Sequence, residues 1–194
     1  QMPRSARPHR IVRTFLNHEL LFRAIGVDQA RNLYGSLEQL LTSQSPYWLQ
    51  RGSLEVENGD LGLAENFLSQ ARGLEPDDHN VDNEWAYLLF KKALQIPGAM
   101  NAPSMVAEAT RILEGLIANR KSGGQYPYHV LGSQGLSWAR RGIRDEDERA
   151  RYLRKLILRI DEGLKKYPFA DELKQLQTDL KRELLSLATP YSSR

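Results

Sequence analysis

The chain has 194 residues, of which 41% are hydrophobic, and a formal net charge of +3. This length suffices for one sizeable core or for a short helical solenoid. Cysteine is absent, which excludes disulfides, thiolate metal sites and cysteine nucleophiles and fits a reducing compartment. No run of about 18 apolar residues occurs, so we expect no membrane partner and a cytoplasmic location.

Charge is distributed unevenly along the chain. Residues 1–44 carry six basic and three acidic side chains, and residues 45–80 carry two basic and seven acidic ones. Residues 140–194 carry fourteen basic and ten acidic side chains. This asymmetry indicates either a nucleic-acid-binding face or a dipolar particle that docks another domain. We favour the second because acidic side chains are interspersed among the basic ones.

The N-terminal residues predict a lead-in followed by a helical hairpin. Residues 1–10 contain two prolines and three arginines, so we expect a flexible basic segment. Residues 11–45 predict two helices that pack on the helices after them; Gly26 ends the first, and Asp28 caps the second. Because the chain opens in linker-like sequence, we expect it to be part of a longer protein.

The run from Trp48 to Pro76 predicts two antiparallel helices joined by a tight turn. In the turn Asn58-Gly59-Asp60, the glycine ends the first helix and the aspartate caps the second. Small side chains let the two helices approach closely, and large ones fill the volume beside them. The small residues are Gly52, Ala64 and Ala71, and the large ones are Trp48 and Leu68.

Five more helices are predicted at about residues 81–96, 104–120, 127–142, 146–167 and 170–187. Ala109-Leu113-Leu116 and Leu156-Ile160-Gly163 repeat the +4 and +3 spacing of Ala64-Leu68-Ala71. The last helix is expected to cap the stack and to bury Leu173, Leu176, Leu180, Leu184 and Leu187. No segment alternates with period two for long enough to suggest a strand. The expected fold is therefore all-α, with about nine helices in one domain.

Motifs for catalysis or metal binding are incomplete. The run from His18 to Phe22 begins like the zinc-protease motif HExxH, but Phe22 stands where the second histidine is needed. Lys121-Ser122-Gly123-Gly124 lacks the order of a phosphate-binding loop. The acids at 145–148 stand at a helix start, where carboxylates interact favourably with the amide dipoles. We therefore predict no enzymatic activity, no cofactor and no metal.

A basic face is the strongest electrostatic feature of the sequence. The helix that starts at residue 146 carries four of its cations on one side, and the others precede that helix. This face suits phosphate contacts. The alternative, which we favour, is a solvated helix face balanced by nearby acids. The face consists of Arg140, Arg141, Arg144, Arg151, Arg154, Lys155 and Arg159.

The run from Trp48 to Pro76 resembles a tetratricopeptide repeat in the positions of Trp48, Gly52, Ala64, Leu68, Ala71 and Pro76. It departs from that pattern at two positions: Arg51 stands where leucine is usual and Glu55 where an aromatic residue is usual. The resemblance implies a right-handed superhelix of antiparallel helix pairs, irregular over residues 46–194.

Such stacks usually bind a peptide or a helix in the concave face formed by the first helix of each pair. Aligned on the repeat, the inward side chains are small or apolar, which favours an amphipathic helix, either in trans or from the same longer chain. The alternative, which we rate equally, is that packing closes the groove. The predicted groove residues are Leu49, Ser53, Val56, Ala86, Phe90, Leu136 and Ala139.

Residues 9–166, including HRIVRTFLNHELLFRAIG and YPYHVLGSQGLSWARRG, also look like the C-terminal helical region of large bacterial multidomain proteins. These proteins place an effector before a signal-transducing NTPase, and several act in antiphage defence. The resemblance implies a non-enzymatic sensor or protein-interaction module. Nucleic-acid binding through the basic face and a stand-alone tetratricopeptide adaptor remain the alternatives.

Overall fold

The structure, a computed structural model, describes residues 25–119 and 124–188. Within these ranges the chain is entirely helical and contains no strand, which confirms the all-α prediction. Residues 11–24 of the expected first helix, the lead-in and the His18 motif lie outside the described residues. The described helices, numbered α1 to α8, are Val27–Leu41, Ser45–Asn58, Leu61–Leu74, His79–Gln95, Ala102–Ala118, Tyr126–Arg141, Glu146–Lys166 and Asp171–Ala188.

Local capping chemistry accounts for three of the described helix boundaries. Gly59 ends α2 in the left-handed conformation, at φ 90°, and the Asp60 carboxylate accepts a hydrogen bond of 3.1 Å from the Leu63 amide at the start of α3. The Asp145 carboxylate caps α7 in the same way. The prediction that Asp28 caps α1 is wrong. Gly26 occupies the cap position without a side-chain bond, and Asp28 lies in the first turn of the helix.

The chain divides into two compact units, Gln1–Leu88 and Leu89–Arg194. The division falls inside α4, and no linker composition marks it in the sequence. The two units are described separately below.

In the first unit, α2 and α3 form the closely packed hairpin that the sequence predicts. A Cβ atom added to Gly52 would stand 2.6 Å from Cγ of Leu68, so the backbone of α2 lies directly against that side chain. Ala64, Leu68 and Ala71 are fully buried. The small residues of the repeat pattern therefore act as contact points between the two helices.

Helix α1 packs on α2 through an ion pair and hydrogen bonds as well as apolar contacts. The Arg31 guanidinium donates two hydrogen bonds to the carboxylate of Glu55, which is only 3% exposed. The Tyr47 hydroxyl donates a 2.7 Å hydrogen bond to the carbonyl oxygen of Tyr34. Burial also raises the pKa of Tyr47. Glu55, one of the two departures from the repeat pattern, thus holds α1 in place.

Arg51, the other departure, joins the same interface. Its guanidinium carbon lies 4.1 Å from the centre of the Phe67 ring, and its Nη1 atom donates a 2.7 Å hydrogen bond to the Glu38 carboxylate. The rings of Tyr47 and Trp48 also lie within cation–π distance. A leucine at position 51 would make neither the ion pair nor the charged stacking contact.

In the second unit, α6 packs against α5, α7 and α8. A Cβ atom at Gly132 would meet Ile160 of α7 at 2.8 Å and Leu176 of α8 at 2.5 Å. One at Gly135 would meet Leu156 of α7 at 2.8 Å. Two glycines one turn apart thus let α6 approach two helices at once.

The buried stripes of the second unit mostly follow prediction. Leu156, Ile160 and Gly163 of α7 are buried, as expected. Along α8, the buried side chains end at Leu180, and Leu184 and Leu187 are partly exposed. The prediction that these last two leucines are buried is wrong, because both are of intermediate exposure.

Candidate interaction surface

The predicted groove residues are core residues. All seven are buried, and none is more than 7% exposed: Leu49, Ser53, Val56, Ala86, Phe90, Leu136 and Ala139. A side chain that its own neighbours cover is not accessible to a peptide. Their burial therefore fits the alternative in which packing closes the groove.

The predicted basic face is exposed along its whole length. Arg140, Arg141 and Arg144 lie at the end of α6 and just beyond it, and Arg151, Arg154, Lys155 and Arg159 project from α7. Leu153, Leu156 and Ile160 occupy the buried side of the same helix. Because α7 must bury that side, its cations are held at the surface.

Two of the seven cations connect helices. The Arg140 side chain donates a 2.7 Å hydrogen bond to the Glu183 carboxylate on α8. Arg159 donates to Glu114 of α5 at 2.8 Å and to Glu162, on its own helix, at 3.0 Å. These two arginines are thus occupied within the second unit.

The other five cations make no ion pair with any residue in the described ranges: Arg141, Arg144, Arg151, Arg154 and Lys155. Three of them, on α7, are spaced at i, i+3 and i+4 and therefore share one side of the helix. They form a compact patch of positive charge that no neighbouring acid neutralises by direct contact.

An exposed leucine lies next to this patch. Leu158 is 68% exposed, whereas Leu153 and Leu156 on the same helix are at most 4% exposed. It follows Arg154 by four residues and Lys155 by three, so it extends the same side of α7 by one turn. Sequence reasoning missed Leu158 because it treated the face purely as a row of charges.

Acidic side chains border the cations at the start of α7. Asp145 caps the helix, and Glu146, Asp147 and Glu148 occupy its first turn, all of them exposed. Their charges interact favourably with the amide dipoles there. They also limit the positive patch to about two turns of the helix.

A charged cluster marks the other end of the exposed face. The Lys166 ammonium donates a hydrogen bond of 2.7 Å to the Tyr128 hydroxyl and contacts the Glu162 carboxylate at 3.1 Å. Lys166 and then Arg159 hold the pKa of Glu162 below its usual value. The hydrogen bond to Tyr128 is the main reason why the pKa of Lys166 is raised.

A cleft of about 780 Å³ opens beside the start of α7. Its walls are mostly apolar, with Val106, Trp138 and Ile143 among them, and Tyr152 is the one titratable group there with a strongly shifted pKa. Burial raises the pKa of Tyr152 to about 12, against a smaller opposing effect of Thr110. A phenol with this pKa stays protonated near neutral pH and does not serve as a base.

Other chemistry is sparse in the part of the chain that the structure describes. Across residues 25–119 and 124–188, no three histidine, aspartate or glutamate side chains converge as metal ligands. None of the helices in those ranges is both long and apolar enough to cross a bilayer.

Comparison of the chain with protein-family models, curated proteins and solved structures gives no significant match.

Proposed function

We propose that the chain is a non-enzymatic protein-binding or sensor module built as a tetratricopeptide-like stack of helix pairs. The observation that carries this proposal is the packing of α6, which contacts both α7 and α8. In a stack of helix pairs, the first helix of one pair packs on its own partner and on the first helix of the next pair. The close contact of Gly52 with Leu68 in α2 and α3 supports the same arrangement.

The exposed residues support a binding rather than a catalytic role. The ion pair between Arg31 and Glu55 joins two helices, which gives both side chains a structural role. The patch on α7 instead offers charge and one apolar side chain to a partner. We further propose that the module acts in the cytoplasm as the C-terminal part of a longer bacterial signalling or defence protein, whose effector and NTPase lie elsewhere.

Affinity capture tests the protein-binding proposal. Immobilised protein is exposed to nuclease-treated lysates of phage-infected and uninfected bacteria, and retained proteins are quantified by mass spectrometry. The control is Leu156→Asp, which places a charge in the buried contact between α6 and α7 and should unfold the second unit, where the exposed patch lies. Specific retention by the folded protein supports the proposal. Equal retention by the two variants, or none by either, contradicts it.

The second candidate function is nucleic-acid binding. The five cations without ion pairs in the described ranges favour it, because phosphate contacts need exposed arginine and lysine. Its test is binding of duplex DNA and RNA over a salt series. Affinity that falls steeply as salt rises supports this candidate, and affinity that is absent at low salt removes it.

A further inference from the structure

The side of α7 from Arg151 to Leu158 combines three cations with one exposed leucine. Residues 151, 154, 155 and 158 are spaced at i, i+3, i+4 and i+7, so they follow one line along the helix. Seven residues of helix span about 10 Å. The patch therefore matches two turns of a second helix lying alongside α7.

The chemistry of the patch favours a protein over a nucleic acid. Leu158 is 68% exposed and offers nothing to a phosphate, but it would be covered by an apolar side chain. Asp147 and Glu148 lie one turn before Arg151 on the same side, where they would repel a phosphate backbone that continued along the helix. A short partner helix ends before it meets them.

We propose that this side of α7 binds an acidic amphipathic helix of a partner protein, with Leu158 as the apolar anchor. The inference rests on the proposed protein-binding function and names the chemistry of the partner. The partner carries two or three carboxylates, spaced at i and i+3 or i+4, which contact Arg151, Arg154 and Lys155. An apolar residue one or two turns further along its helix covers Leu158.

Charge and apolar contact contribute different properties to this complex. The cations increase the association rate and fix the orientation of the partner, but exposed ion pairs add little affinity each. Leu158 supplies the contact that excludes water. The complex is therefore weak, and it depends on the leucine even when every charge is kept.

Two fluorescent probes test the proposal by anisotropy. One is a synthetic helical peptide of about four turns, with glutamates and a leucine at the stated spacing. The other is a duplex DNA oligonucleotide. Leu158→Ser removes the anchor, and its control is Leu185→Ser on α8, where the leucine is 69% exposed against 68% for Leu158. Arg154→Gln/Lys155→Gln removes two charges, and its control is Lys181→Gln/Arg182→Gln on α8.

We expect Leu158→Ser to weaken peptide binding about five- to tenfold, since it loses most of the burial of one leucine, and to leave DNA binding unchanged. Arg154→Gln/Lys155→Gln should weaken binding of both probes, and the two control variants should bind as the unchanged protein does. Amide chemical shifts that change on peptide addition should cluster on α7.

Three results would overturn the proposal. The first is peptide binding that Leu158→Ser and Leu185→Ser affect equally. The second is DNA binding tighter than peptide binding, which would assign the patch to nucleic acid. The third is no peptide binding at all. If lysate capture nevertheless succeeds and Arg154→Gln/Lys155→Gln does not reduce it, the α7 patch is the wrong surface and the proposed function stands.

Discussion

Replacement of Gly52 by alanine tests whether the α2–α3 hairpin is held at glycine contact distance. Alanine normally stabilises a helix interior by about 0.8–1 kcal/mol relative to glycine. Here the new methyl group would stand 2.6 Å from Cγ and Cδ2 of Leu68. Leu68 is fully buried, so it has little room to move, and overpacking of this kind costs about 1–3 kcal/mol. Because the contact includes the branch carbon Cγ, we expect the upper half of that range and a net loss of about 1–2 kcal/mol.

Gly35 provides the matched control within the same unit. It lies in the middle of α1, is exposed, and a Cβ atom added there would have nothing within 4 Å. Gly35→Ala should therefore stabilise the first unit by about 0.5–1 kcal/mol. Urea denaturation followed by tryptophan fluorescence measures both variants. If Gly52→Ala stabilises the protein as much as Gly35→Ala does, the close approach of α2 to Leu68 is wrong.

Three further substitutions test the polar contacts. Arg31→Met should destabilise the first unit by about 2–3 kcal/mol in urea denaturation, because it leaves the buried carboxylate of Glu55 without its partner. This loss is smaller than that expected for a fully buried ion pair, since Arg31 is partly exposed. The double variant with Glu55→Leu should recover part of the loss, and a larger loss would contradict this reasoning. Arg51→Lys keeps the charge but loses the planar stacking on three aromatic rings, so we expect the free energy of unfolding to fall by about 0.5–1.5 kcal/mol. An unchanged free energy of unfolding would show that only the charge matters. Lys166→Met should raise the pKa of Glu162 towards its model-compound value of 4.5, measured by NMR titration of the carboxyl carbon. Because folding lowers the pKa of Glu162, its carboxylate stabilises the folded state above about pH 4.5. This stabilisation is lost as the pH falls through the folded-state pKa. In Lys166→Met, the dependence of stability on pH should be weaker over this range.

Local features of the fold could be predicted because local residues determine them. Gly59 and Asp60 end one helix and start the next by their own backbone and side-chain preferences, and the structure has both caps. The +4 and +3 apolar spacing of Leu156, Ile160 and Gly163 likewise identified the buried side of α7. Each of these signals spans only a few residues.

Contacts between distant residues could not be predicted in the same way. Gly132 contacts both Ile160 and Leu176, which are far from it in sequence. The predicted groove residues are buried, which fits the alternative that packing closes the groove. A repeat pattern identifies which side of a helix turns inward, but burial depends on what packs over that side, and residues such as Phe90 are completely covered.

The two departures from the repeat pattern carry the most specific information in the first unit. A leucine at 51 and an aromatic residue at 55 would give α2 an apolar surface that many helices could cover. Instead, Arg51 of α2 pairs with Glu38 of α1, and Glu55 of α2 pairs with Arg31 of α1. Each helix therefore presents one positive and one negative group, and each group faces the opposite charge on the other helix. Sliding α1 by one turn would separate both pairs and leave the Glu55 carboxylate buried without a partner, which is strongly unfavourable. These charges therefore fix the register of α1 on α2 more than they add stability, and a general repeat consensus has no means of encoding such a pairing.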